Sequence, residues 1–262
     1  MRIVVCVKEV PDTTDIRINP ETNTLIREGV PSIVNPFDAF ALELALSIKD
    51  QKTDTEIITL SMGPPQAVRS LRETIGMGAD SAILISDRVF AGSDTWATSY
   101  TLSAAIKKIG NVDLVFTGKQ AIDGDTAQVG PGIAEFLDLP QAIFVRAIRK
   151  IENNEIELER LTENGYEILS LGMPAVISVV KLPKDPRLPS LRGMMKAKKA
   201  EIPIWGKSDL NIEEIFVGLD GSPTHVSKIF SPPKKTTGEI WVGEPQELAG
   251  RLVGILREKG LN

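Results

Sequence analysis

Apolar positions in the first two thirds of the chain fall into two alternating patterns. Short, nearly unbroken runs rich in β-branched residues occupy positions 2–7, 56–60, 82–85, 114–117 and 175–180. Runs of this kind predict strands buried on both faces. Between them, residues 37–50, 64–77, 94–109 and 126–137 carry apolar side chains at helical spacing. The alternation predicts an α/β fold, with an open, mostly parallel sheet flanked by helices.

The pattern changes over residues 141–170. Short strands at 144–149, 155–161 and 166–171, joined by turns at Asn153-Asn154 and Asn164-Gly165, predict an antiparallel excursion. Beyond Val180 the chain is punctuated by Pro183, Pro186, Pro189, Pro203, Pro223, Pro232, Pro233 and Pro245, which argues against a second compact core. A last amphipathic stretch, 246–259, sets Leu248, Leu252, Ile255 and Leu256 on one stripe. The expected organisation is an α/β domain over 1–183, a basic loop and helix over 184–200, and an extended C-terminal arm over 201–262. Such an arm either lies on another chain or folds back on its own sheet, and both readings stay open.

Composition narrows the function classes. The chain has 262 residues, 42% of them hydrophobic and 25% charged, with a net charge of −5 and a pI near 5.2. That balance speaks against nucleic-acid binding. No apolar stretch approaches membrane-spanning length, and the apolar start runs directly into Lys8-Glu9, so no membrane span or secretory signal is expected and the cytoplasm is the default. Cys6 is the single cysteine, which leaves no intrachain disulfide and no basis for a cysteine-rich metal site.

The catalytic inventory is thin. The single histidine, His225, sits in the proline-rich region, and Cys6, flanked by Val4, Val5 and Val7, reads as an inert buried thiol. No catalytic side chain and no metal site is expected. A P-loop is missing, and Gly76-Met77-Gly78 follows a helix and precedes a strand, the reverse of a dinucleotide fingerprint, so it reads as a helix stop.

Two motifs carry more. In Asn35-Pro36-Phe37-Asp38, Asn can cap a helix, Pro suits its first position and Asp suits the positive end of its dipole. At the mouth of the sheet the same helix start offers amides and a carboxylate to a nucleotide. The strongest signal is Gly118-Lys119-Gln120-Ala121-Ile122-Asp123-Gly124-Asp125-Thr126-Ala127-Gln128-Val129-Gly130. It leaves a strand, is expected to turn tightly at Gly124, and enters a helix that Asp125 or Thr126 would cap, which makes a phosphate site. Asp123 and Asp125 would repel phosphate, so capping or ribose-hydroxyl roles are assigned to them, and backbone amides with Thr126 are left for the anion. Farther on, residues 181–200 hold Lys181, Lys184, Arg187, Arg192, Lys196, Lys198 and Lys199 against Asp185, interspersed with Leu188, Leu191, Met194 and Met195. This mixture suits docking of an acidic partner.

Together these residues resemble a known family. Val7-Lys8-Glu9-Val10-Pro11-Asp12, Asn35 to Asp38, Met77-Gly78-Ala79-Asp80, Gly118 through Pro131, and Pro186-Arg187 with Ser190-Leu191-Arg192 and Met195 to Lys199 look like the electron-transfer flavoprotein β subunit, in the same order and over most of the chain. The resemblance implies a heterodimer with an α subunit that carries FAD, while the β subunit holds AMP or a second FAD. It implies nucleotide contacts at Cys6, Asn35, Pro36, Phe37, Asp38, Met62, Gly118, Lys119, Gln120, Ala121, Ile122, Asp123, Gly124, Asp125, Thr126, Ala127, Gln128 and Val129, and a partner-recognition loop in which Leu191 enters an apolar pocket of a dehydrogenase. Cys6 and Met62 come from the resemblance alone.

Three further stretches resemble the electron-bifurcating branch of the family: Val10-Pro11-Asp12-Thr13, the run from Ser86 to Thr95, and Gly221-Ser222-Pro223-Thr224. That likeness implies FAD in this chain, Thr95 and Thr98 beside it, and NADH as electron donor. The acceptors it implies are ferredoxin or flavodoxin and, through the α-subunit FAD, a flavin-containing acyl-CoA or hydroxy-acid dehydrogenase. NADH oxidation would then belong to the complex. Lys119 departs from the arginine common in that branch and leaves both nucleotides open. An ATP-consuming enzyme of related fold would need a glycine- or serine-rich loop after the first strand, where this chain has Lys8-Glu9-Val10-Pro11-Asp12.

Overall fold

A computed structural model describes residues 1–12, 31–227 and 238–261. Thr13 of the first bifurcating-type motif, together with Pro232 and Pro233, lies outside the described residues. The described chain divides into two units, Met1–Ser227 and Lys228–Asn262.

In the first unit the strands are β1 (Arg2–Cys6), β2 (Glu9–Pro11), β3 (Ser32–Val34), β4 (Glu56–Met62), β5 (Ser81–Ile85), β6 (Leu114–Gly118), β7 (Gln141–Glu152), β8 (Glu155–Thr162), β9 (Gly165–Gly172), β10 (Ala175–Val179) and β11 (Ile204–Trp205). Its helices are α1 (Pro36–Gln51), α2 (Val68–Met77), α3 (Thr95–Ile109), α4 (Val129–Leu137) and α5 (Leu191–Lys199). Nine strands form one sheet in the order β11-β5-β4-β1-β6-β10-β7-β8-β9. The pairs from β11 to β7 are parallel, and β7-β8 and β8-β9 are antiparallel. The α/β class, the open mostly parallel sheet and the antiparallel excursion are therefore present. β2 and β3 form a separate antiparallel pair that the apolar pattern does not announce.

Residues alternate between the two faces of β1. Ile3 and Val5 pack with α1 and α2, whereas Val4 and Cys6 pack with α3 and α4. Helices thus cover both faces, which is why the central strands are apolar throughout. Turn chemistry fixes the excursion: Asn153 and Asn154 hold φ of 51° and 63° between β7 and β8, a conformation Asn tolerates. Gly78, with φ of 137°, ends α2 as a C-terminal stop.

The boundary expected at residue 201 differs from the observed one. β11 adds to the edge of β5, and Leu210 and Val217 are buried in the α3/α4 core. Over residues 201–227 the chain folds back on its own sheet, because these few apolar side chains suffice to anchor it without a second core. The second unit contains α6 (Pro245–Glu258), none of whose residues is buried. Within it, Arg251 pairs with Glu239 at 2.6 Å and lies 4.3 Å from the Trp241 ring centroid. Among the described residues no helix is long and apolar enough to cross a membrane, and no cluster of three metal-ligating side chains occurs.

Candidate functional site

Cys6, Met62 and Gly118 are the last residues of β1, β4 and β6, at one edge of the sheet. The chain runs from β1 to β4 on one side and later enters β6 on the other. The edge between β1 and β6 is a topological switch point, where open α/β sheets bind ligands.

The helix start at Asn35 is built for this edge. Pro36 is the first residue of α1, but the fully buried Asn35 side chain makes no capping bond. Instead its Nδ2 donates to the Gln120 carbonyl at 2.8 Å, and its Oδ1 accepts from the Ile122 amide at 3.1 Å. The capping expectation is corrected. A buried carboxamide needs partners for both ends, and the loop after β6 supplies them. Asp38 likewise turns to the strands. Its Oδ2 accepts from the Lys8 amide at 2.7 Å and its Oδ1 from the Gly118 amide at 3.1 Å. Burial pushes its carboxyl up to about 7, against the opposing hydrogen bonds of Asn35, Lys8 and Gly118.

Gly118 has no substitute here. A β-carbon on it would fall 2.3 Å from Asp38 Oδ1 and 2.7 Å from the Phe37 backbone, so α1 and β6 can approach only at a glycine. Burial, with Asp38 nearby, pushes the Cys6 thiol far up, which leaves it a packing residue without nucleophilic character.

The loop after β6 departs from expectation in an informative way. Residues 122–124 form a turn closed by the Asp125 amide, 2.8 Å from the Ala121 carbonyl. Gly124 is not left-handed, and a β-carbon there would meet nothing within 4 Å. The left-handed residues are Asp125 and Ala127, each with φ of 55°. They interrupt helical geometry, so α4 begins at Val129 with Gln128 as its uncapped N-terminal neighbour. Capping by Asp125 or Thr126 is therefore corrected. Among the described residues the amides of Thr126, Ala127 and Gln128 have no hydrogen-bond acceptor. They lie at the positive end of α4, a ready anion site.

Charge compensation answers the objection for Asp123, and Asp125 is solvent-exposed. Lys8 Nζ lies 2.7 Å from Asp123 Oδ1 and 2.8 Å from Oδ2. Asp125 accepts from the Gln120 side chain. Lys119 is tied by its amide to the Val179 carbonyl at 2.7 Å, with its ammonium 5.5 Å from the Phe144 ring centroid. The residues present thus fit the phosphate of a nucleotide: amides with no acceptor among the described residues, a glycine-tight approach and, at Asp123, a neutralised carboxylate.

Thr95 and Thr98 occupy the first turn of α3. Thr95 donates its hydroxyl to Gln128 Oε1 at 2.9 Å, while Thr98 donates its amide to the Asp94 carbonyl at 3.0 Å. Met62 is half-buried. Leu191 stands apart, 74% exposed at the start of α5, with Leu188 85% exposed before it. Their loop is anchored by Arg187, 2.8 Å from Glu43 and 2.7 Å from Asp50. Sequence reasoning missed the pairing of Lys8 with Asp123, whose only signal is opposite charge 115 positions away.

Fold and edge together define a doubly wound α/β protein with an amide-lined loop at its switch point. Residues 22–210 match the family described as electron transfer flavoprotein domain. The chain is 52% identical, over 99% of both sequences, to the caffeyl-CoA reductase-Etf complex subunit CarD of Acetobacterium woodii. It is 49% identical to the electron transfer flavoprotein subunit beta of Megasphaera elsdenii over 92% of this chain and 91% of that one. It is 47% identical to protein FixA of Azorhizobium caulinodans over 88% and 85%. The chain belongs to the electron transfer flavoprotein family, as a β subunit.

Proposed function

We propose that this β subunit binds FAD at the β1/β6 edge and, within a heterodimer with an α subunit, takes part in electron bifurcation from NADH. The observation that carries the reading is the Asn35 carboxamide holding the Gln120 carbonyl and the Ile122 amide, next to the amides of residues 126–128, which find no acceptor among the described residues. Those amides would hold the phosphate, and Asn35, Asp38 and Gly118 would keep the loop in place. Bound there, FAD supplies two-electron chemistry with NADH and one-electron chemistry with acceptors. The acceptors of this reading are ferredoxin or flavodoxin and, by way of the α-subunit FAD, a flavin-containing acyl-CoA or hydroxy-acid dehydrogenase.

This chain's residues bind and orient; no side chain among them transfers a proton or forms a bond. Thr95, bonded to Gln128 of the loop, and Thr98 in the same first turn of α3 would stand beside a group larger than the adenosine monophosphate, which favours FAD over AMP in this reading. The name of the A. woodii relative, a subunit of a reductase-Etf complex, agrees with a partner dehydrogenase. Leu191 and its exposed neighbours would meet that dehydrogenase, and α6, with no buried residue, would be covered by the α subunit. A second reading keeps AMP in this chain and one FAD in the α subunit, since Lys119 and the phosphate amides suit both nucleotides.

Co-expression with a candidate α subunit, followed by cofactor extraction, separates the two. Two FAD per heterodimer with little AMP is the expected result. One FAD and one AMP would reject bifurcation, and a single FAD without AMP would reject the nucleotide site altogether.

A further inference from the structure

Two of the bifurcating-type stretches, far apart in sequence, meet at a single carboxylate. Asp94 caps α3, its Oδ1 accepting from the Trp96 amide at 2.9 Å and the Ala97 amide at 3.0 Å. Its Oδ2 faces the other way and accepts from the Thr224 hydroxyl at 2.7 Å and the Thr224 amide at 3.0 Å. The Asp94 amide donates to Ser222 Oγ at 2.8 Å, and the buried Ser222 hydroxyl donates in turn to the Gly218 carbonyl at 2.7 Å.

One residue downstream, Thr95 donates to Gln128, the last residue before α4. Two side-chain links, Thr224 to Asp94 and Thr95 to Gln128, joined by the Asp94–Thr95 peptide bond, therefore connect the end of the first unit to the end of the anion loop. A plain helix cap would use one carboxylate oxygen and leave the other to water. Here the second oxygen is committed to a segment 130 positions away. Burial works against the charge of Asp94, but the Thr224 hydroxyl and amide and the amides of Ala97 and Trp96 outweigh it and hold the carboxyl below its usual range.

We propose that Asp94 is a positioning residue of the nucleotide site, its two oxygens bolting residues 221–224 to the first turn of α3 so that Thr95 holds Gln128, and with it the end of the anion loop, in register. The inference rests on the nucleotide reading of that loop. Thr224 is the outer half of the bolt and touches no part of the site itself. The path runs through these hydrogen bonds and the Asp94–Thr95 peptide link, so the proposal expects that loosening Thr224 loosens Gln128.

The test is a double-mutant cycle on the intact heterodimer, using Thr224→Val, Gln128→Ala and the pair, with Thr224→Ser as the conservative control. Dissociation of the β-bound nucleotide is followed by filtration and cofactor quantification, alongside thermal unfolding. Each single variant is expected to speed dissociation about 3- to 10-fold. The pair should be no faster than the faster single variant, and Thr224→Ser should restore the wild-type rate. A merely structural bolt would lower the unfolding temperature without coupling to Gln128. Additive effects, or a Thr224→Val rate equal to wild type, would overturn the proposal while leaving the site intact. A wild-type heterodimer that holds no nucleotide in this chain would overturn the site reading as well.

Discussion

The Gly118 amide donates to Asp38 Oδ1 across 3.1 Å, and a β-carbon on Gly118 would stand 2.3 Å from that same oxygen. One contact thus demands both an acidic partner and a missing side chain. It locks the last residue of β6 to the first turn of α1 and sets where the following loop leaves the sheet.

Gly118→Ala is expected to force Asp38 and the Phe37 backbone apart and to cost about 1–3 kcal/mol, the usual range for overpacking. Urea unfolding should show the loss, together with reduced nucleotide content. Wild-type stability in this variant would mean that the approach of α1 to β6 is looser than the geometry requires.

Asp38 gives a pH signature. Its folded value, about 7, lies above the ordinary 3.8. A carboxyl raised on folding contributes stability that is complete below about 3.8 and lost as pH climbs through about 7. Asp38→Asn removes the titration, so wild-type stability relative to this variant should fall between pH 4 and 7 and level off above. Denaturant unfolding across that window reads it directly; a flat or rising difference would contradict the assignment.

The loop after β6 separates two glycine-like demands. Gly124 has open space and no left-handed φ, so Gly124→Val should leave nucleotide content near wild type. Ala127 sits at φ of 55° and Val is strained there, so Ala127→Val should cost about 1–2 kcal/mol and lower retention. Cofactor analysis of the two variants side by side decides; equal losses would mean that the turn at residues 122–124 is the critical one.

Much of this was legible beforehand, and what was not has a physical reason. The strands and helices announce themselves because both sheet faces are covered, so apolar runs mark strands and 3.6-residue spacing marks helices. Asn153-Asn154 and Gly78 carry local turn chemistry that reads correctly from the sequence. The start of α4 was misplaced by three residues because left-handed Asp125 and Ala127 are fixed by the loop's setting and not by their own preference. Asn35 reads as a cap from local sequence, since its true partners, Gln120 and Ile122, lie more than 80 positions away. The two-residue β11 is too short for any period to show.

Leu191 is exposed and fills no core, so Leu191→Ala should change stability by no more than about 0.5 kcal/mol. On the proposed reading it should slow electron transfer to the partner dehydrogenase while bound nucleotide stays constant. A coupled assay at normal rate would remove this residue from the interface.

The most direct measurement is the number of adenine nucleotides released per heterodimer, from the wild type and from Asn35→Leu, which strips the Gln120 carbonyl and the Ile122 amide of their partner. Two from the wild type and one from the variant is the result this account predicts. One from the wild type, or two from both, would contradict it.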